Sequence, residues 1–177
     1  MAIKNVDQYI VVKGCTVYVG ENGKYEPYPV IVDTAEVGLP AISHPTLESQ
    51  SMGPMEVVDQ TRVNAMQVTI TCEPSVIQSK LHGYGLKDYM IKWGQEVKNG
   101  NGSGFRLVPF VAYVKGTPSD DSGSTVSTGN NTTGTLTINA VFYKLLSDGK
   151  EIRYIDKLNG ELRINGIDYR SELESML

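Results

Sequence analysis

Two stretches of the chain alternate between apolar and polar residues, and this alternation restricts the fold more than any other feature. Successive side chains of a β-strand point to opposite faces, so a period of two predicts strands with one packed face and one wet face. In residues 62–72 and 135–146 the apolar positions are Met66, Val68, Ile70, Cys72, Leu136, Ile138, Ala140 and Phe142. The polar positions include Gln67, Thr69, Thr71, Thr137 and Asn139. We expect two amphipathic strands, the second of them the longest in the chain.

Shorter runs rich in β-branched and aromatic residues cover much of the remaining sequence. They lie at residues 8–12, 15–19, 30–38, 88–97, 105–116, 151–157 and 161–164. Gly14 separates the first two runs, and Ser147-Asp-Gly-Lys is typical of a hairpin turn. Two short helices are also expected. Pro74 suits the first helical position of one, with Gly83 as its C-terminal cap.

Asp168 can cap the second helix, in which Tyr169, Leu173 and Leu177 share a face. Together these elements predict a single, mainly β domain over residues 1–177. The expected architecture is a β-sandwich or partly closed barrel of about seven strands, with one covering helix and a short C-terminal helix.

Two polar segments interrupt the pattern. The segment near residues 42–60 is long and irregular, which is unusual inside a compact domain and typical of a functional or disordered connection. Residues 117–134 are rich in serine, threonine, glycine, asparagine and aspartate, and predict an exposed loop.

Composition and charge exclude several classes of protein. The net charge of −4 leaves no basic face for ordinary nucleic-acid binding. Two distant cysteines, Cys15 and Cys72, do not make a disulfide framework. The sequence shows no signal peptide and no apolar run of the ~20 residues that a membrane helix needs, so synthesis in a reducing cytoplasm is expected.

Residues for catalysis or metal binding are sparse. His44 and His82 have no ligand-spaced partner, and neither a nucleophile elbow nor a phosphate-binding loop occurs. Asp120-Asp121 is interpreted as a solvated loop tip in preference to a cation site. Paired carboxylates for acid–base catalysis remain open. The sequence predicts no enzyme, no cofactor and no metal.

Two long stretches resemble the major tail tube protein of contractile-tailed phages and R-type pyocins. The first runs through Val37-Gly-Leu-Pro-Ala-Ile, Glu48-Ser-Gln-Ser-Met-Gly-Pro-Met-Glu-Val-Val-Asp, Met66-Gln-Val-Thr-Ile and Glu73-Pro-Ser-Val-Ile-Gln-Ser-Lys-Leu-His-Gly. The second runs through Ile138-Asn-Ala-Val-Phe-Tyr-Lys-Leu-Leu-Ser-Asp-Gly-Lys-Glu-Ile, Tyr154-Ile-Asp-Lys-Leu-Asn and Arg163-Ile-Asn-Gly-Ile-Asp. The matching segments span roughly residues 35–83 and 135–177. Gly53 remains where the family usually has several glycines.

This resemblance implies homohexameric rings that stack into a hollow tube within a virion or phage-like particle. The implied partners are further copies of the chain, a sheath protein, baseplate or tube-initiator proteins, a tape-measure protein and a tail terminator. The tube would conduct DNA without sequence preference or puncture an envelope, after synthesis in the bacterial cytoplasm.

On this interpretation one set of residues faces the tube lumen: Glu36, Gln67, Thr69, Thr71, Thr137 and Asn139. A second set lies in a loop that reaches the next ring: His44, Glu48, Met52, Gly53, Pro54 and Met55. A polar lumen without positive charge would let DNA slide. The first set could also be ordinary solvent-facing strand positions. A ligand-binding β-sandwich, such as an adhesin or a decoration protein, is the alternative function.

Overall fold

The computed structural model describes residues 8–32, 36–49, 53, 55–100, 104–171 and 175. Within them the chain is mainly β, as the alternation predicts. The strands are β1 Gln8–Glu21, β2 Lys24–Tyr25, β3 Ile31–Val32, β4 Glu36–Gly38, β5 Thr46–Ser49, β6 Met55–Val58, β7 Met66–Cys72, β8 Lys87–Lys98, β9 Phe105–Asp121, β10 Gly134–Ser147, β11 Lys150–Asp156, β12 Glu161–Ile164 and β13 Ile167–Asp168. One α-helical turn, Pro74–Val76, continues as the π-helical turn Ile77–Leu81.

Eleven of the described strands form one antiparallel sheet. Hydrogen-bonded neighbours follow the order β13-β12-β11-β10-β9-β8-β1-β2, with β3 on β1, β7 on β10 and β4 on β7. Strands β5 and β6 pair only with each other. The sheet has more strands than the predicted seven because β2, β3, β4 and β13 have only two or three residues. Strands that short leave no periodic pattern in a sequence.

Strand β10 is the branch point of the sheet. Strand β9 pairs with one edge of β10, along residues Leu136 to Ser147. Two strands share its other edge: β7 pairs with Gly134–Ala140, and β11 pairs with Phe142–Ser147. The registers separate at Val141, which forms a bulge and accepts a 3.0 Å hydrogen bond from the Lys157 N–H.

The bulge corrects the predicted core face of β10. Leu136, Ile138 and Ala140 are buried as expected, but Phe142 is only half-buried. An extra residue reverses the alternation, so Tyr143 enters the core in place of Phe142 and is 1% exposed. Strand β9, with 17 residues against 14 in β10, is the longest strand, which is also contrary to the prediction.

The segment predicted as one strand at residues 30–38 forms two strands at opposite ends of the sheet. Strand β3 pairs with β1, whereas β4 pairs with β7. Only residues 33–35 separate them, so the sheet must wrap around until its two ends come near each other. Hydrogen bonds between the described strands do not close the sheet into a complete barrel. The expected partly closed barrel is therefore a wrapped, open sheet.

The wrapped sheet encloses one core. Each large side chain that is fully buried contributes about 1.5–3 kcal/mol to folding. Strand residues that are at most 2% exposed include Val17, Val68, Ile70, Ile91, Ala112, Leu136, Ile138, Tyr143 and Ile155.

The predicted covering helix is confirmed, but its predicted cap is wrong. Ile77 and Leu81 are buried, and the Tyr89 hydroxyl donates a 2.9 Å hydrogen bond to the Leu81 carbonyl. The helix ends at Leu81 because His82 is extended, with its N–H bonded to the Ile77 carbonyl. Gly83 therefore does not cap the helix.

Three other expectations change at the level of element boundaries. Residues 8–12 and 15–19 form one strand, β1, whose register shifts between Lys13 and Thr16 around Gly14. Strand β9 continues to Asp121, so the exposed loop begins at residue 122 and not at 117. The Asp168 carboxylate accepts the Arg170 and Ser171 N–H groups as a cap would, but Leu173 and Leu177 lie outside the described residues.

Gly116→Ala is expected to destabilise the fold by about 1–3 kcal/mol, because a Cβ there would collide with the Asn139 carbonyl and the Ile138 side chain. Backbone on the neighbouring strand cannot move aside cheaply. Gly83→Ala is the matched control, since its Cβ would meet only the flexible end of Lys87, and it should stay within about 1 kcal/mol of the parent protein. Urea unfolding of both variants measures the difference, and equal stabilities would contradict the close approach of β9 and β10.

Candidate assembly surfaces

Six polar residues singled out in the sequence share one face of neighbouring strands. Glu36 lies opposite Thr71, which lies opposite Thr135; Gln67 lies opposite Asn139. We call the surface that they form the polar face. It comprises the outward-pointing residues of β4, β7, the first half of β10 and the end of β9: Glu36, Gly38, Gln67, Thr69, Thr71, Thr117, Asp120, Thr135, Thr137 and Asn139.

Short polar contacts run across this face. The Gln67 side-chain amide donates to the Asn139 side-chain oxygen at 3.3 Å. The Thr71 and Thr135 hydroxyls are 2.9 Å apart. Gln67 is exposed, whereas Val68 behind it is 0% exposed. The strands therefore make a thin wall between solvent and the packed core.

The charge of the polar face is negative. Its ionisable groups are the carboxylates of Glu36 and Asp120, both on exposed residues. The described segments that build it, residues 36–38, 66–72, 116–121 and 134–141, contain no lysine or arginine. Phosphate groups would find no cation to bind on this surface.

Sequence reasoning missed four members of the polar face: Gly38, Thr117, Asp120 and Thr135. Thr135 fits the alternation that identified Thr137, so the signal for it was present. Thr117 and Asp120 were assigned to the polar loop, because strand residues with hydrophilic side chains cannot be told from loop residues by composition. Only the pairing of β9 with β10 reveals them.

The segment near residues 42–60, expected to be irregular, contains a β-hairpin. Strands β5 and β6 pair with each other and not with the main sheet. The register runs from Thr46 opposite Val58 to Ser49 opposite Met55. Its apolar residues are not covered within the described chain: Leu47, Val57 and Val58 are 56%, 43% and 51% exposed.

Hydrogen bonds hold the two chain segments at the base of the hairpin together. The Asp59 N–H donates to the Pro45 carbonyl at 2.8 Å, and the Asn64 N–H donates to the Ser43 carbonyl at 2.9 Å. His44 Nδ1 is 2.6 Å from the Arg62 carbonyl, so this nitrogen carries a proton. Lys157 Nζ donates to the Asn64 carbonyl at 2.6 Å, which joins this base to the residue that follows β11.

The residues predicted for the inter-ring loop occupy different parts of this hairpin. His44 is at the base, Glu48 lies directly opposite Glu56, and Met55 pairs with Ser49. Gly53 has a φ of +115° in the connection, which favours glycine. Met52 and Pro54 lie outside the described residues. The opposed Glu48 and Glu56 repel each other in the isolated chain.

A groove of about 450 Å³ lies elsewhere on the sheet, lined by Tyr25, Tyr113, Phe142 and their neighbours. Its Asp88 carboxylate is 3% exposed and already accepts the Gly23 N–H at 2.6 Å, with Lys115 Nζ at 3.5 Å. Burial, with the Asp88 charge, raises the pKa of Tyr25 to about 12. The groove therefore offers the neutral Tyr25 phenol and a carboxylate that is already bonded to the Gly23 N–H and paired with Lys115, not a poised acid–base pair.

Other chemistry has little support in the described part of the chain. His82 lies 3.7 Å from Asp121, but no cluster of three or more histidine, cysteine, aspartate or glutamate residues occurs there. Cys15 and Cys72 are free thiols whose pKa values are raised by burial. None of the described helices has the length and apolar character to cross a membrane.

Comparison with known proteins identifies one family and four similar chains among solved structures, two of which are described below. The family described as Phage tail tube protein FII matches residues 11–177. No curated protein matches the chain significantly. A chain from the cryo-EM structure of an extracellular contractile injection system, PVC sheath/tube terminator in the extended state, is 15% identical, with a TM-score of 0.45 over 75% of this chain and 92% of that one. A chain from the PVC sheath–tube complex in the extended state is 15% identical, with a TM-score of 0.43 over 75% and 88%.

The pKa of Asp59, at the hairpin base, is expected to be below the usual ~3.9. The Thr61 hydroxyl donates to its carboxylate at 2.6 Å, the Thr61 N–H donates at 3.0 Å, and Arg62 is nearby. A carboxylate whose pKa is lower in the folded state than in the unfolded state stabilises the fold at pH values above its unfolded-state pKa. This stability is lost as the pH falls through the folded-state pKa.

An NMR pH titration of the Thr61 amide measures this pKa. Thr61→Val should raise the midpoint more than Arg62→Gln, because the hydroxyl bond is the largest cause of the shift. A parent midpoint at the ordinary aspartate value would contradict the described base.

Proposed function

The chain belongs to the family of phage tail tube protein FII and is a structural subunit of a tail tube, and on that premise we propose that six copies form a ring whose channel is lined by the polar face. One observation carries this proposal: ten positions of four neighbouring strand segments form a continuous hydrophilic surface directly over the core. A tube wall needs a wet side and a packed side, and these strands provide both.

The chemistry of the polar face suits transport without binding. Threonine, glutamine and asparagine side chains interact with water as readily as with a passing polymer. Glu36 and Asp120 add negative charge. DNA moving through such a channel would meet no cation to hold its phosphates, so it would slide. A tube without DNA would serve equally well as a rigid puncturing device.

The hairpin supports the proposed stacking of rings. Its base is closed by backbone hydrogen bonds, and it exposes Leu47, Val57 and Val58. An exposed apolar surface on a small hairpin is expected to be covered in the assembled state. Contact with the next ring would bury it, and cations on that ring would relieve the repulsion between Glu48 and Glu56.

The remaining partners follow from the family resemblance. A contractile sheath would surround the tube, baseplate or initiator proteins would start it, a tape-measure protein would set its length, and a terminator would cap it. The subunit would be made in the bacterial cytoplasm and act within the particle. Its role is structural and requires no catalytic residue.

Leu47→Asp combined with Val57→Asp should prevent stacking while leaving the subunit folded and able to form rings, because two carboxylates would enter an apolar contact. Each 1.4 kcal/mol lost from the free energy of association of one ring with the next raises the concentration needed for stacking about tenfold. Negative-stain electron microscopy of concentrated protein distinguishes tubes from single rings. Val126→Asp is the matched control, since Val126 is 88% exposed in the loop after β9. Normal tubes from the hairpin variant would refute its inter-ring role.

Gln67→Cys should react with a bulky maleimide in free subunits and become protected in assembled tubes, because a closed channel admits bulky reagents only from its ends. Val126→Cys should stay reactive in both states. Mass spectrometry of labelled subunits gives the modified fraction. Equal labelling of Gln67→Cys before and after assembly would place the polar face outside the channel.

A further inference from the structure

We propose that Asn165 is a site of spontaneous deamidation, and that the buried carboxylates of Asp88 and Asp156 suppress the same reaction at Asn22 and Asn159. The modification would occur on the free subunit, so it does not depend on the ring or the tube proposed above.

Asn-Gly dipeptides recur along the chain, at Asn22, Asn99, Asn101, Asn159 and Asn165. Asn101 lies outside the described residues. Asn99 and the glycine after it are half-buried and have interaction partners. The other three dipeptides all lie at turns between strands of the main sheet.

The dipeptide is labile because the backbone nitrogen of glycine can reach the side-chain amide of the asparagine before it, with no glycine side chain to obstruct the approach. The nitrogen loses its proton to water or hydroxide and forms a bond to the asparagine Cγ. The Cγ–Nδ2 bond then breaks and releases ammonia, which takes up a proton. Water opens the resulting cyclic imide and leaves aspartate or isoaspartate. Asparagine is accordingly one of the thermolabile residues.

Turn geometry explains why these two residue types stand together here. Asn22-Gly23 joins β1 to β2, and Asn165-Gly166 joins β12 to β13, as two-residue hairpin turns. All four residues have a positive φ, between +52° and +80°. Hairpin turns of this kind prefer Asn-Gly. The residues that suit the turn therefore also bring the lability.

The turn at Asn22 is held by a buried carboxylate. The Gly23 N–H donates a 2.6 Å hydrogen bond to Asp88 Oδ2, and Asp88 is 3% exposed. Attack on the Asn22 side chain requires this bond to break. The negative charge of the carboxylate also opposes the loss of the proton from the Gly23 nitrogen. Asp88 therefore keeps the attacking nitrogen protonated and occupied.

A second buried carboxylate holds the other reactant at Asn159. The Asn159 side-chain amide donates to Asp156 Oδ2 at 2.7 Å, and its backbone N–H donates to Oδ1 at 3.1 Å. These bonds direct the amide toward Asp156, so Cγ cannot approach the Gly160 nitrogen until they break. Space around Gly160 is also limited, since a Cβ there would collide with the Arg170 guanidinium.

The protective role gives a reason for burying these two charges. Among the described residues, Asp88 and Asp156 are the charged side chains that the fold buries, and each one binds an Asn-Gly turn. A carboxylate is costly to bury unless hydrogen bonds and charges compensate it. Here the compensating groups include the atoms that deamidation needs.

The turn at Asn165 has no such protection in the described part of the chain. Asn165 and Gly166 are exposed, and neither the Asn165 side chain nor the Gly166 N–H has a hydrogen-bond partner there. The Asp168 carboxylate accepts the N–H groups of Arg170 and Ser171 instead. Strand β13 has two residues and pairs with β12 alone, so the turn can open at little cost.

Deamidation at Asn165 would alter the edge of the sheet. Isoaspartate adds one carbon to the backbone, so the turn would no longer match the pairing of Ile164 with Ile167. Strand β13 would separate from β12, and the product would carry a new negative charge.

Peptide mapping by mass spectrometry tests the proposal on the intact chain. Folded subunits are incubated at mildly alkaline pH in isotopically labelled water, which marks the products formed during the incubation. Modification at Asn165 should exceed that at Asn22 and Asn159 by about tenfold or more, because the protected turns react only after local opening. In urea the three sites should react at similar rates. Equal rates in the folded protein, or an unreactive Asn165 beside a reactive urea control, would overturn the proposal.

Two variants separate lability from protection. Asp156→Ala should raise the modification of Asn159 about tenfold and leave that of Asn165 unchanged, since only the first turn loses its restraint. Asn165→Gly is the control, because glycine accepts a positive φ and has no amide to lose. It should keep the parent's melting temperature and show no modification at that position.

The protective role fails if folded Asp156→Ala modifies Asn159 no faster than the parent does. Circular dichroism shows whether this variant folds. If it does not, the ratio of the Asn159 rates in urea and in the folded parent decides the matter. A ratio near one would overturn the protective role, and a ratio of about ten or more is expected from it.

Discussion

Strand β10 holds the structure together because two strands share one of its edges. Its first half carries β7 and the polar face, and its second half carries β11 and the hairpins that follow. The bulge at Val141 separates these halves and reverses which alternate residues face the core. Ala140 before the bulge and Tyr143 after it are therefore both buried. Without this switch, one half of β10 would present its apolar side to solvent. The wrapped sheet, the thin polar wall and the open end of β9 all depend on this arrangement.

The sequence predicts the parts of the fold that rest on local periodicity. The buried residues of β7, from Met66 to Cys72, follow from alternation alone, and so does the outward direction of Gln67, Thr69 and Thr71. The burial of Tyr143 in place of Phe142 could not be predicted, since a bulge leaves no mark in composition. The same holds for residues 117–121, where strand character comes from pairing with β10 and not from the side chains. The hairpin of β5 and β6 was hidden because each strand has four residues.

The polar residues were grouped correctly even though their role remains a proposal. Period-two alternation places residues on a face, and strand pairing joins the faces of neighbouring strands into one surface. A channel, however, belongs to an assembly and is not visible in one subunit. Membership of the tail tube family indicates that the assembly is a tube. In the proposed assembly the hairpin would add contacts along the tube axis, so different parts of one chain would serve the ring and the stack.

A cryo-EM reconstruction of tubes assembled from the unmodified protein tests the central claim most directly. The account predicts that the side chains of Gln67, Thr69 and Thr71 point toward the tube axis, with Val68 and Ile70 directed into the wall. A map in which these polar side chains lie on the outer surface of the tube, while some other part of the subunit lines the channel, would contradict it.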